Sequence, residues 1–481
     1  MNPLLHLSAT ELARRIRHRE LTSREVVLTH IDHARQVNPG LNAIVADRFD
    51  IALAEADAAD TRVASEPAHA LPPLLGVPCT IKECFSLEGM PNSAGLKARS
   101  AIRSTTDATT VARLRAAGAI PIGVTNTSEL CMWMETSNLV YGRTNNPYDA
   151  SRIVGGSSGG EGSIVGSGAS PFGLGSDIGG SIRMPAFFNG VFGHKPSGGA
   201  VPFTGQFPSA EGKAVRYLTT GPLCRRADDL MPLLRILAGP DGHDPGCESM
   251  TWPDPETIPV RSLRVLSIRA NGLRPISRDL QLAHTRTLEA LGQAGCSVRE
   301  VELPLLKRSI EIWAAGLSTA DGTPFKELLG QGKPIAVGSQ LARWMAGRSD
   351  HTLPALALAL VESIPFIASN NDPRPLQWAT ELRAQLDELL GDDGILIYPS
   401  YTRVAPRHRV PLRLPLDWAY TAIMNIMELP VTQVPTGLNA AGIPTGVQVV
   451  GPWGHDHLTI AAARHLESTL GGWVPPDSRP A

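Results

Sequence analysis

The feature that most narrows what this 481-residue chain can fold into is a block of glycine and serine between Gly155 and Gly199. It opens with Gly155-Gly156-Ser157-Ser158-Gly159-Gly160-Glu161-Gly162 and continues with Gly173-Leu174-Gly175-Ser176-Asp177-Ile178-Gly179-Gly180-Ser181-Ile182-Arg183-Met184-Pro185. Glycine reaches backbone conformations that side chains avoid and lets main-chain N–H groups approach a ligand. Two such turns, each carrying serine, point to a site. Four readings are open. A phosphate cradle is disfavoured because no Gly-x-x-x-x-Gly-Lys-Ser/Thr pattern occurs and no Gly-x-Gly-x-x-Gly joins a strand to a helix. A nucleophile elbow is formally available, since Gly156-Ser157-Ser158-Gly159-Gly160 follows the apolar Ile153-Val154 and would make Ser158 the nucleophile. A serine served by a lysine base is the third reading, and a set of tight turns without chemistry the fourth.

The lysine for the third reading stands in Gly76-Val77-Pro78-Cys79-Thr80-Ile81-Lys82-Glu83-Cys84-Phe85. The apolar run before Lys82 predicts burial, and burial disfavours an ammonium, which is what a lysine base requires. Taken alone, a lysine that snorkels to water or pairs with Glu83 explains the position as well.

Composition narrows the class. Lys and Arg total 44 against 46 Asp and Glu, a net charge of −2, without the basic excess of a nucleic-acid binder. With 42% hydrophobic and 19% charged residues, the chain has the material for a large core. No basic-then-apolar leader opens the sequence and no run of 18 apolar residues occurs, so a cytoplasmic protein without stable membrane anchoring is expected. The most apolar segment, Leu353 to Ala368, reads as a buried or cap helix, with contact to a membrane surface or a hydrophobic substrate as the sharper alternative. The six cysteines are scattered without a Cys-x-x-Cys pair and read as reduced thiols, and His455 and His457 around Asp456 are a weak metal candidate.

Periodicity gives an α/β chain. Capping boxes at Ser8/Glu11 and Thr22/Glu25 open an N-terminal helical segment. Thr109 to Ala117 predicts a helix stopped by Gly118, followed by a short buried strand over Ala119 to Val124. The order recurs with a strand over Leu263 to Ile268, a helix over Ser277 to Ala294 and an alternating strand over Ser297 to Leu303. Asp241 to Pro259 reads as a surface connection, and Val474 to Ala481 as a loose tail.

Lys82, the serine turn at Gly155 to Gly160 and the Asp177 to Pro185 segment, spaced by 75 residues from Lys82 to Ser157 and by 24 from Ser157 to Ser181, together resemble the amidase signature family, in its fatty acid amide hydrolase branch. Weaker similarity continues through Gly193 to Pro196, Asp393 to Pro399, Leu429 to Val431 and Gly442 to Gln448. The resemblance implies one α/β domain over residues 1–481, with a signature core at about 70–200, a helical cap at about 305–380 and a mixed twisted sheet of about eleven strands surrounded by helices. It implies Ser181 as nucleophile, Ser157 as a bridging serine after a cis peptide, Lys82 as base, and the N–H groups of Ile178, Gly179, Gly180 and Ser181 as the oxyanion hole. Asp177 and Arg183 are expected to brace the loop as an ion pair, and Ser158 to prop Lys82 by hydrogen bonding. Cys131, Met132, Trp133 and Met134 align with an acyl-pocket wall, where soft apolar side chains suit a hydrophobic ligand. No metal or organic cofactor is required, since lysine is the base and backbone amides hold the oxyanion.

The reaction implied is hydrolysis of linear amides, with hydrophobic acyl or aryl groups and an extension to carbamates, through an acyl-enzyme. The rival inside the family is the glutamine-hydrolysing A subunit of a tRNA-dependent amidotransferase. Its Ser-Arg-Tyr-Gly and Leu-Asp-Gln landmarks are missing, because the chain reads Ser197-Gly198-Gly199-Ala200 and Leu218-Thr219-Thr220-Gly221 at those places. The expected partner is a small-molecule amide, with no nucleic acid, and the resemblance leans toward a homodimer.

Overall fold

The computed structural model describes residues 1–319, 322–362 and 372–476. Its strands, in chain order, are β1 (Ile44–Asp47), β2 (Pro78–Lys82), β3 (Ile120–Thr125), the short hairpin β4 (Ser137–Asn138) and β5 (Gly142–Arg143), β6 (Phe172–Asp177), β7 (Phe192–Lys195), β8 (Thr219–Cys224), β9 (Arg264–Ser267), β10 (Ser297–Glu300), β11 (Gly394–Pro399), β12 (Val431–Leu438) and β13 (Pro444–Val450). All but the hairpin join one eleven-stranded sheet in the order β1-β3-β2-β6-β8-β7-β12-β13-β11-β9-β10. The sheet is mixed: β3, β2 and β6 run parallel, as do β11, β9 and β10, and the pairs through the centre are antiparallel. β2, β3, β6, β8, β11 and β13 are buried along their whole length, as expected of strands covered by helices on both faces.

The strand–helix–strand reading is met closely. The helices at Thr109–Ala116 and Arg278–Gln293 end at glycines in the left-handed region, Gly118 and Gly295. Ser8 and Thr22 cap their helices by accepting from the N–H groups of Glu11 and Glu25. The reciprocal half of the first box is missing, because Glu11 turns outward to Arg14 and Arg15. The chain near Val474 is not loose: Trp473 is buried with its indole N–H on the Gly166 carbonyl, and Val474 accepts from Tyr148. The rest of that predicted tail, 477–481, lies outside the described residues. So does 363–368 of the apolar segment, whose first part forms the helix Leu353–Glu362. Among the described residues no helix is long and apolar enough to cross a membrane.

Two features of the sheet position the site. Lys82 and Asp177 are the last residues of β2 and β6, which pair in parallel, so both side chains leave the same edge of the sheet. The helix Gly159–Gly166 then packs against that edge with every residue buried. Its Glu161 reaches down to accept from Thr80 on β2 at 2.6 Å and Thr125 on β3 at 2.7 Å. Burial pushes the Glu161 carboxyl up to about 8, outweighing those hydrogen bonds.

The folded chain therefore holds a proton on Glu161 up to about pH 8, whereas the unfolded chain releases it near the usual 4.5. Stability is then greatest at and below pH 4.5 as far as this group is concerned, and falls as pH rises from there toward 8, by on the order of 1.4 kcal/mol per pH unit. In Glu161→Gln that component of the slope is expected to vanish when urea midpoints are compared across this range; an unchanged slope would refute the assignment.

Candidate active site

Lys82 is fully buried, and its Nζ donates to Ser157 Oγ at 2.7 Å and to Ser176 Oγ at 3.0 Å. Among the described residues no carboxylate forms an ion pair with it. Glu83, the neighbour that a surface reading would pair with Lys82, instead accepts from the N–H groups of Ser93 and Ala94 and the hydroxyls of Ser93 and Tyr141. The Gly156–Ser157 peptide is cis. Gly156 has no room for a side chain, because a Cβ there would stand 2.2 Å from the Trp133 carbonyl oxygen. Thus the serine turn presses directly on the wall formed by Cys131 to Met134.

Ser158 does not prop Lys82. Its hydroxyl donates to the Ser176 carbonyl at 3.3 Å and accepts from the Ser176 N–H at 3.4 Å, so it ties the serine turn to β6, and Ser176 is the second partner of the lysine. Ser176 precedes Asp177 on the strand beside β2, and its hydroxyl meets Lys82 while the Asp177 carboxylate is taken by Arg183. Ser158 is also fully buried, which leaves an elbow reading without an exposed nucleophile. Sequence reasoning missed Ser176; its place one residue before Asp177, on a strand of the same parallel pair, was the available signal.

Asp177 and Arg183 are both fully buried and form the expected pair at 2.9 Å. The carboxylate does more than pair. It accepts from the N–H of Gly180 at 2.7 Å and of Ile182 at 3.1 Å, which curls the intervening residues into a loop. Burial works against the charge, yet the Arg183 guanidinium and the Asn425 amide hold the carboxyl well below its usual range. Further guanidinium N–H groups reach Gln448 at 2.8 Å, the last residue of the Gly442 to Gln448 segment, and Asn425 at 2.6 Å, which no motif indicated.

This loop separates the expected oxyanion donors. The N–H of Gly180 is taken by Asp177, which corrects the expectation that it faces the oxyanion. The N–H groups of Ile178, Gly179 and Ser181 find no acceptor among the described residues. Gly180 is needed for a different reason: its φ is +121°, and a Cβ would stand 2.2 Å from Thr421 Oγ1. Ser181 is 8% exposed, and its hydroxyl opens on a cavity that Ser157 and Ser176 also line.

The cavity is about 470 Å³, walled by Leu130, Met132, Trp313, Leu317, Phe325 and Leu358. A smaller recess of about 90 Å³ adjoins it at Ser181, lined by Cys131, Met132, Trp133, Met134, Met184 and Trp418. All four residues of the expected acyl wall therefore face the recess. The Leu353–Glu362 helix contributes Leu358 and Val361 to the larger cavity, and Glu362 at its end accepts from the N–H groups of Phe325 and Lys326, capping the next wall helix. Cys131 lies at the junction of the two spaces in a left-handed conformation, φ 59°, with Thr127 Oγ1 at 3.3 Å. The neighbouring Cys84 thiol, with help from Lys82, Thr127 and Ser157, draws the Cys131 thiol below its ordinary range against burial. Asp456, between the two histidines weighed as metal ligands, is buried and fully engaged by His194, Ser197 and Trp252.

Removing one partner of a buried, hydrogen-bonded ion pair leaves an uncompensated charge. Arg183→Met is therefore expected to lower stability by about 3 to 5 kcal/mol, and Asp177→Asn combined with Arg183→Met to recover part of that loss. Urea denaturation checks both; a single-variant loss near zero would mean that the pair does not hold the loop.

The amidase family profile matches residues 25–460. The chain is 48% identical over 490 residues to fatty-acid amide hydrolase 2-B of Danio rerio, covering 99% of this chain and 91% of that protein. It is 46% identical over 492 residues to fatty-acid amide hydrolase 2 of Homo sapiens, covering 98% and 91%. The crystal structure of a bacterial aryl acylamidase of the amidase signature family superposes with a TM-score of 0.83 over the full length of both chains at 24% identity, a likeness of fold. With a parallel strand pair placing Lys82 behind the serines of an apolar cavity, and a family match across nearly the whole length, this chain belongs to the amidase signature family of amide-hydrolysing enzymes.

Proposed function

We propose that the protein hydrolyses neutral, apolar amides, and by the same acyl transfer carbamates, with Ser181 as nucleophile, Ser157 as proton relay and Lys82 as base. The observation that carries the reading is the 2.7 Å contact between the buried Lys82 Nζ and Ser157 Oγ, at the wall of the cavity on which Ser181 opens. In its free-base form Lys82 accepts the proton of Ser157 while Ser157 accepts that of Ser181. Ser181 Oγ then bonds to the carbonyl carbon, and the oxyanion forms against the unpaired N–H groups of Ile178, Gly179 and Ser181. Collapse breaks the C–N bond as the relayed proton returns to the leaving nitrogen through Ser157. Water, deprotonated by the same relay, attacks the acyl-serine, releases the carboxylate and restores Ser181.

The substrate class follows from the walls. Apolar side chains dominate, and among the described residues neither cavity is lined by lysine, arginine or histidine. The charged lining groups among the described residues are the carboxylates of Glu211 and Glu362. A free carboxylate on the substrate, such as that of glutamine or of an N-acyl amino acid, would be desolvated there without a counter-charge. This disfavours the glutamine-hydrolysing reading and agrees with the fatty-acid amides named for the Danio rerio and Homo sapiens relatives.

A fluorophosphonate probe with peptide mapping tests the chemistry without knowledge of the substrate. The adduct is expected on Ser181, slowed roughly 10³-fold or more in Lys82→Ala; an adduct on Ser158 indifferent to Lys82 would overturn the assignment. Against one acyl chain, the primary amide is expected to be cleaved at least about tenfold faster than the glycine conjugate, the cost of an unpaired buried charge. Equal rates would reject the substrate class.

A further inference from the structure

The three unpaired N–H groups at Ser181 need their peptide planes held, and each is held from its carbonyl side. In a trans peptide the C=O and the following N–H point in opposite directions, so a partner that fixes the carbonyl aims the N–H. The Asp177 carbonyl, whose plane carries the Ile178 N–H, accepts from Asn425 Nδ2 at 2.9 Å and Thr219 Oγ1 at 3.2 Å. The Gly180 carbonyl, whose plane carries the Ser181 N–H, accepts from the Met184 N–H at 2.7 Å. The Ile178 carbonyl, whose plane carries the Gly179 N–H, is held by Trp313, whose Nε1–H donates to it at 2.8 Å.

The third anchor differs in origin. Asn425, Thr219 and Met184 belong to the buried core or to the loop's own continuation, whereas Trp313 sits on the helix Ser309–Ser318, which also walls the substrate cavity. That helix is drawn close by Gly316, where a Cβ would stand 2.7 Å from Ile426 Cδ1. The Trp313 ring is set edge-on to Trp418, centroids 4.6 Å apart at 83°. The two indoles close over Gly179, at 3.5 Å and 3.3 Å from where its Cβ would be. One side chain thus forms part of the apolar wall and, through a single hydrogen bond, fixes the plane whose other end faces the reacting carbonyl. Without that bond the Ile178–Gly179 plane has glycine on one side and no second partner among the described residues for its oxygen.

We propose that Trp313 is a positioning residue for the hydrolysis: its indole N–H aims the Gly179 N–H at the developing oxyanion, so that the cap helix completes the oxyanion hole from outside the signature core. The inference rests on the reading of Ser181 as the nucleophile. The role is separable from wall packing, because the N–H meets the backbone whereas lining the cavity needs only the bulk of the ring.

The test replaces Trp313 with 3-benzothienylalanine, which keeps the bicyclic shape and lacks the N–H, alongside Trp313→Phe, with urea midpoints confirming folding. For amides of short and long acyl chains, kcat is expected to fall by the same factor, about tenfold or more, with KM moved less than about twofold, and the fluorophosphonate rate at Ser181 to fall in parallel. Wild-type kcat in the benzothienyl variant would overturn the proposal, as would a loss confined to KM for long acyl chains, which is the behaviour of a wall residue. Absence of any adduct on Ser181 in the wild-type enzyme would instead reject the nucleophile reading, and this inference with it.

Discussion

The buried pair of Asp177 and Arg183 is the interaction on which the rest of the site depends. Two charges with no exposure to solvent are costly unless every lone pair and N–H finds a partner. Here both carboxylate oxygens and all three guanidinium nitrogens have partners, and the partners organise the site. The carboxylate gathers the backbone of Gly180 and Ile182, the guanidinium gathers Gln448 of β13 and Asn425 of the helix Ala419–Ile426, and Asn425 in turn fixes the Asp177 carbonyl. Satisfying one ion pair thereby docks the loop carrying Ser181 onto two separate elements. The shape of the loop is a consequence of electrostatic satisfaction more than of local turn preference.

The same logic explains why glycine is dense here. A loop drawn this tightly around a carboxylate has neighbours where side chains would be, and Gly156 and Gly180 each face an atom at 2.2 Å from the position a Cβ would take. The parallel pairing of β2 and β6 supplies the other half, since it brings Lys82 and Ser176 to one edge without any loop having to reach. Glu161 beneath them keeps the helix that follows the serine turn pinned to β2 and β3 through two threonines. A rigid floor and a tightly bound loop leave few ways for Ser157 and Ser181 to drift apart.

How much of this was legible in the sequence divides along the range of the interactions. Strand and helix spans were readable because periodicity and glycine stops are local, and the ion pair was readable because Asp177 and Arg183 are six residues apart on one loop. The number of strands was not readable from pattern; it came with the family resemblance. Ser158 and Gly180 were misjudged because sequence gives a residue's place in a motif but not which hydrogen bond wins. Ser158 lies one residue from Ser157, yet it turns to the backbone of Ser176, and the Gly180 N–H has a carboxylate nearer than any substrate. Asn425, Trp313 and Trp418 lie far along the chain in segments of ordinary composition, and although Gln448 closes a segment with family similarity, only the tertiary fold could have placed any of the four around the Ser181 loop.

The pattern of used and unused N–H groups carries a physical consequence. Four successive amides follow Asp177, and the second glycine of the pair is the one spent on folding the loop. A donor committed to a buried carboxylate cannot reorient toward a transient oxyanion without breaking a charge-assisted bond, whereas a donor left open over a cavity waits at no such cost. Folding and charge stabilisation thus draw on different amides of the same loop, with Asp177 enforcing the division. Because the carbonyls behind the open amides are tied to the core on both sides and to the cap in the middle, the apolar cavity and the open amides beside Ser181 share a wall. Any change in how the cap packs is then transmitted to the middle donor before the others, by one hydrogen bond instead of by a movement of the core.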